Sequence, residues 1–206
     1  MARLCEYHGM ERSGHYAFLY WLHMTMPRHS ANTRKGYVRW FHEEVSAPSY
    51  TTMMYGRDVD LEKHKPIYED VPTIVLVRDI RNMMASRSVH QMGPADEEVQ
   101  RIWKQYASMA LNPDSNVVVA LYDKWFASED YRYDLIDTLN RKFEWGLVYS
   151  EEGLNRVSPI GCGSSFDGDT YDGRAQEMNV LRRHYQVPPM LIPDDLLELN
   201  DKVFGE

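Results

Sequence analysis

Two short runs of branched apolar residues, TIVLV at 73–77 and NVVVALY at 116–122, constrain this chain more than anything else in it. Runs with almost no polar position do not suit a sheet with one wet face. They predict strands buried on both sides, as in a parallel sheet covered by helices. The segments between them supply those helices. A helix is predicted over 78–90, and 95–109 places Val99, Ile102, Trp103, Tyr106 and Met109 on one face. A further helix over 129–143 aligns Tyr131, Leu135, Leu139 and Phe143. Upstream, 15–26 is apolar on nearly all sides and reads as a buried helix ended by Pro27. Weaker strand patterns lie near 3–8 and 37–42, while 45–71 shows no period and reads as an irregular excursion. The tail is loop-rich: Gly/Ser/Asp residues over 158–173, a helix over 174–185, a break at 187–193 and a short amphipathic segment over 195–204. Strands alternating with helices predict one three-layer α/β domain over 1–206, with a mostly parallel central sheet flanked by helices.

The chain leaves its first predicted strand through GMERSGHY, residues 9–16. Gly9 and Gly14 have the Gly-x4-Gly spacing of a phosphate-cradling P-loop, but His15 and Tyr16 stand where a nucleotide triphosphatase has Lys and Ser/Thr. Backbone N–H groups at a helix N-terminus still suit an anion. The hydroxyl that would hold Mg²⁺ is missing, and the strongest cation, Arg12, lies inside the loop. The expected ligand is a nucleotide not handled as a magnesium triphosphate, and no metal site is predicted. A second motif, VRDIRNMMASR, runs directly off the TIVLV strand. Arg78 stands at the strand's C-terminal end, where open α/β sheets bind ligands, and Ser86 follows about two helical turns later. A guanidinium suits a phosphate by its bidentate geometry. The same residues also suit a surface Arg78–Asp79 pair at a helix start.

Taken together, RSGHY after an N-terminal strand and VRDIRNMMASR after a central one resemble the two nucleotide-binding motifs of the cytosolic and Golgi sulfotransferases. Those enzymes use 3′-phosphoadenosine 5′-phosphosulfate (PAPS). The resemblance spans about 4–143 and includes the strand and helix over 117–140. It implies that Arg12, Ser13, Gly14, His15 and Tyr16 hold the 5′-phosphosulfate, and that Arg78 and Ser86 hold the 3′-phosphate. His15-Tyr16 replaces the family's small hydroxyl residues, and Ile80 replaces a common proline. The family's C-terminal Gly-rich loop is not recognisable, and GCGSSFDG with Arg174 is the candidate cover in its place.

Sulfuryl transfer to a hydroxyl or amine calls for positioning, fixed positive charge and a base for the acceptor. Arg12 is the expected source of charge. His42, Glu43 and Glu44, at the end of the second predicted strand, are the first candidates for the base, because Golgi-type members carry a glutamate there. His15, His64 and His90 compete with them. Two further readings stay open: a nucleotide or small-molecule kinase with a degenerate P-loop, and a non-catalytic nucleotide-binding module.

The net charge of −8 argues against a general nucleic-acid binder, while leaving room for a local basic pocket. Cys5 and Cys162 are too few for a disulfide framework and lack metal-site spacing. With no leader-like opening and no apolar run of membrane length, the chain reads as cytoplasmic, or as a catalytic domain cut from something longer. The partners expected are the nucleotide and an acceptor whose identity the sequence does not specify.

Overall fold

The computed structural model describes residues 4–26, 38–40, 52–64, 71–89, 97–157, 164 and 166–205. Among these residues, five strands form one sheet: β1 (Leu4–Gly9), β2 (Val38–Trp40), β3 (Thr52–Arg57), β4 (Thr73–Val77) and β5 (Val117–Leu121). Their order is β2-β3-β1-β4-β5, and every pairing is parallel. The α/β class with a parallel sheet between helical layers is the one expected from the two branched runs.

Among the described residues, six α-helices accompany the sheet: α1 (His15–Thr25), α2 (Ile80–Val89), α3 (Glu97–Leu111), α4 (Tyr122–Ala127), α5 (Glu129–Phe143) and α6 (Asp194–Phe204). Alternation along the strands sends side chains to two separate cores. Cys5, Tyr7, Ile74, Leu76, Val118 and Ala120 face a core built with Phe18, Trp21 and Leu22 of α1, Trp125 of α4 and Leu135 and Leu139 of α5. Val75 and Val77 face the other, with Met83 of α2, Trp103 and Tyr106 of α3, and Val203 and Phe204 of α6. Two cores on opposite faces of one sheet make three layers.

Two expectations need correction. The stretch 45–71 is not irregular throughout, because it contains β3. TMMYGR has none of the continuous branching of TIVLV, and it becomes a strand through pairing with β1 on one edge and β2 on the other. Nor is 174–185 a regular helix. It forms two 3₁₀ segments, Ala175–Glu177 and Val180–Gln186, with a non-helical Arg182 (φ −128°, ψ 27°) inside the second. The cause is competition for its backbone. The Val180 carbonyl accepts from Arg78, the Leu181 carbonyl accepts from Asn82, and the Arg183 N–H donates to Asn82 Oδ1. Groups committed to side chains of another element cannot also serve a regular helix.

The strand order directs attention to the C-terminal ends of the two interior strands β1 and β4. The chain leaving β1 goes toward β2 and β3, whereas the chain leaving β4 goes to β5 on the other side. That reversal is a topological switch point at the C-terminal ends of β1 and β4, the place where open α/β sheets bind ligands. Gly9 lies in register with Leu76, so the 9–16 loop and Arg78 emerge side by side. Among the described residues, no helix is long and apolar enough to cross a membrane.

Candidate functional site

The loop after β1 is shaped by two backbone conformations. Arg12 (φ 69°) and Gly14 (φ 81°) both lie in the left-handed region. At Gly14 the requirement for glycine is double, since a Cβ there would also fall 2.2 Å from Cε2 of Tyr122. A turn bond from the Ser13 N–H to the Met10 carbonyl (3.0 Å) tightens the loop, and α1 starts immediately after Gly14. Gly14 caps α1 without any side-chain oxygen, and the first turn carries no acidic residue. A helix N-terminus left this way favours an anion.

Arg78 joins the second motif to the first. Its side chain is buried, with Nη1 donating to the Arg12 carbonyl at 2.8 Å and Nη2 to the Val180 carbonyl at 3.1 Å. The guanidinium carbon lies 5.0 Å from the centre of the Tyr122 ring, the ring that also lies under Gly14. Trp103 Nε1 donates to the Arg78 carbonyl at 3.0 Å, fixing the backbone as it leaves β4. Three polar atoms of this group have no hydrogen-bond partner among the described residues: Arg12 Nε, Ser13 Oγ and Arg78 Nε. Two of them carry guanidinium charge and the third is a hydroxyl in a residue 1% exposed. Buried donors left unmade each cost about 1–3 kcal/mol, so a cluster of them is a place where a ligand's oxygens are stabilised.

Behind the arginine lies a network of side-chain amides and carboxylates. Asp79 caps α2, its Oδ1 accepting from the Asn82 N–H at 2.9 Å and its Oδ2 from Asn200 Nδ2 at 2.7 Å. Asn200 in turn accepts from the Ile80 N–H at 3.0 Å, tying α6 to the start of α2. Asp123, at the start of α4, accepts from the Asp79 N–H (2.8 Å) and from Asn82 Nδ2 (3.2 Å). Burial pushes the Asp123 carboxyl up to about 6, against the lowering pull of Arg78 and of the Asp79 N–H; neighbouring Asp79 raises it further.

The predicted residues divide accordingly. Arg12, Ser13, Gly14 and Arg78 meet at the switch point between β1 and β4. His15 is buried in the first turn of α1, its Nδ1 3.4 Å from the Met10 carbonyl, and its ring lies 4.2 Å from that of half-buried Tyr16. Ser86 is buried within α2. His64 Nε2 lies 2.8 Å from Glu6 Oε2. His42, Glu43 and Glu44 lie outside the described residues, as does His90. Arg174 is more than half exposed and pairs with Glu177. The arginine buried against the 164–168 turn is Arg183, which pairs with Asp167 and stacks over Phe166 at 4.5 Å.

Sequence reasoning missed Tyr122, Asp123, Asn82 and Arg183 as parts of this assembly. Tyr122 and Asp123 carried a usable signal, since they leave the end of β5 as Arg78 leaves the end of β4. Arg183 carried none, because its partners are distant in sequence. No protein-family model matches the chain, and no curated protein matches it.

Proposed function

We propose that this chain is a sulfotransferase that moves a sulfuryl group from PAPS to a hydroxyl or amine acceptor. One observation carries the reading. Two arginines from separate motifs are joined at the C-terminal ends of β1 and β4, and they and Ser13 offer polar atoms that have no partner among the described residues. An anion bridging the loop after Gly9 and the end of β4 satisfies all three.

In this reading the 5′-phosphosulfate lies against the 9–16 loop and the N-terminus of α1. The acceptor oxygen or nitrogen bonds to sulfur while the bond from sulfur to the 5′-phosphate oxygen breaks. Adenosine 3′,5′-bisphosphate leaves, and the acceptor's proton passes to a base. Arg12 supplies charge to the sulfuryl oxygens and the bridging oxygen as negative charge develops there. Glu43 or Glu44 is the proposed base, with His42 in reserve. Arg78 and Ser86 are assigned to the 3′-phosphate. The guanidinium of Arg78 already serves two carbonyls, and its buried Nε, without a partner among the described residues, is the atom proposed for that contact.

Thermal unfolding in the presence of nucleotides tests the reading, since a ligand of the native state raises its stability. Adenosine 3′,5′-bisphosphate should raise the midpoint more than ATP with Mg²⁺ does. A larger shift with ATP and Mg²⁺ would transfer the assignment to a kinase, and no shift with either would remove the nucleotide site.

A further inference from the structure

A second polar cluster lies on the opposite side of β1 from the Cys5–Tyr7 core. Glu6 and His8 stand two residues apart on one strand, so their side chains share a face. Both are 1% exposed, in a strand paired on both edges, with β3 and with β4. His64 reaches them from the turn that follows β3, with its side chain 18% exposed. The two imidazoles converge on a single carboxylate oxygen: His8 Nε2 is 3.2 Å and His64 Nε2 2.8 Å from Glu6 Oε2. One ligand atom from each residue lies within 4.8 Å of the other two.

A carboxylate and two imidazoles are the donor set of three-ligand sites for zinc and related ions, which leave a further position open. Bonds of 2.0–2.1 Å in a tetrahedron place neighbouring ligand atoms about 3.3 Å apart. The His8–Glu6 separation is already close to that value. The His64–Glu6 separation needs to open by roughly half an ångström, on the most exposed member of the set.

Among the described residues, the cluster is braced from β1, α3 and the 9–16 loop. Glu6 and His8 belong to an interior strand. The turn bearing His64 is held to α3 through Asp60, which accepts from Arg101 Nη2 (2.7 Å) and Gln105 Nε2 (3.0 Å). At the start of the same turn, Asp58 Oδ1 accepts from the Glu11 N–H at 2.9 Å, and the Asp58 N–H donates to the Gly9 carbonyl at 3.4 Å. The cluster therefore shares its supporting turn with the 9–16 loop.

We propose that Glu6, His8 and His64 form a site for a first-row divalent cation, with zinc the ion of first choice. The bound ion fastens the 58–64 turn to β1 and so steadies the loop that follows. The sequence predicts no metal site, because the 9–16 loop lacks a Mg²⁺-holding hydroxyl and the two cysteines lack metal-site spacing. His64 joins Glu6 and His8 only through the parallel pairing of β3 with β1.

The test uses the full chain stripped with a chelator and then titrated with Zn²⁺ against a chromophoric competitor, and separately with Co²⁺. The expected result is one equivalent bound, a higher unfolding midpoint, and the visible absorption of low-coordinate Co²⁺. His64→Ala, which truncates the most exposed ligand, should weaken Zn²⁺ by about 100-fold or more and abolish the Co²⁺ spectrum, with its circular dichroism unchanged. Glu6→Gln, which keeps the shape and an acceptor oxygen, should also weaken Zn²⁺ by at least tenfold. Equal Zn²⁺ affinity in the parent chain and both variants would overturn the proposal, as would less than one equivalent bound by the parent. The cluster would then be a hydrogen-bonded triad. Should His64→Ala unfold, the comparison of Glu6→Gln with the parent decides alone.

Discussion

Arg78 Nη1 donates to the carbonyl oxygen of Arg12 at 2.8 Å, a bond between residues 66 apart in the chain. The loop's main cation is thus held by another cation, through its backbone. Such contact is tolerable because the guanidinium meets a carbonyl dipole and an aromatic face, with the buried Asp123 carboxyl nearby.

From this bond it follows that Arg78→Ala acts on two levels. Freeing the Arg12 and Val180 carbonyls should weaken adenosine 3′,5′-bisphosphate and adenosine 5′-phosphosulfate alike. The bisphosphate should lose a further 1.5–3 kcal/mol, roughly the worth of a hydrogen bond to a charged group. Calorimetric titration of both ligands at one ionic strength measures the difference. Equal losses would leave Arg78 as a support of the loop alone.

Gly14→Ala meets two penalties. The left-handed backbone costs about 1 kcal/mol for a residue with a Cβ. The collision with Tyr122 adds about 1–3 kcal/mol of overpacking. In a Tyr122→Leu background the second penalty should shrink while the first persists. Urea unfolding of the parent, both single variants and the double variant gives the coupling. An additive result would mean that the ring does not restrict this position.

The Asp123 carboxyl sets a pH dependence with a definite sign. Its folded pKa, about 6, stands above the ordinary 3.8, so the folded state binds more protons between those values. Stability from this group is therefore full below about pH 4 and falls as pH rises through 6, by about 3 kcal/mol in all. Asp123→Asn should flatten that slope in urea midpoints measured from pH 4 to 7. Parallel slopes for the two proteins would show that Asp123 titrates as an ordinary carboxylate.

Arg12→Ala should lower kcat far more than it weakens the product nucleotide, because its contact strengthens as charge develops. Replacing Glu43 and Glu44 together by glutamine should cost about 10²–10⁴-fold in kcat with the fold intact. Full activity in that double variant would pass the base to His42.

The parts of the fold that were legible in the sequence are those whose burial is local. TIVLV announces a strand without reference to anything else, and so does the stripe from Val99 to Tyr106 for a helix. β3 was illegible because TMMYGR is a strand only by virtue of the neighbours on its two edges. The 3₁₀ segment Val180–Gln186 was illegible for a related reason, since its helix-like composition yields to bonds from Asn82 and Arg78, each about a hundred residues away. The same division runs through the site. Arg12 and Arg78 declare themselves by position at strand ends. The ring against Gly14 and Arg78, that of Tyr122, and the oxygen that shares Arg78, that of Val180, are visible only once the chain is folded.

The placement of β1 between β3 and β4 has a consequence for the order in which the molecule is made. β1 precedes both of its neighbours, and its edges wait for residues 52–57 and then 73–76. Until those are synthesised, it is an unpaired strand beside an apolar helix, α1, with Trp21 and Phe18 uncovered. Long-range parallel pairing of this kind forms slowly and exposes its precursors to aggregation. Refolding yield should therefore depend more steeply on protein concentration than it does for a helical bundle of the same length, with the segment from β1 to α1 as the adhesive part.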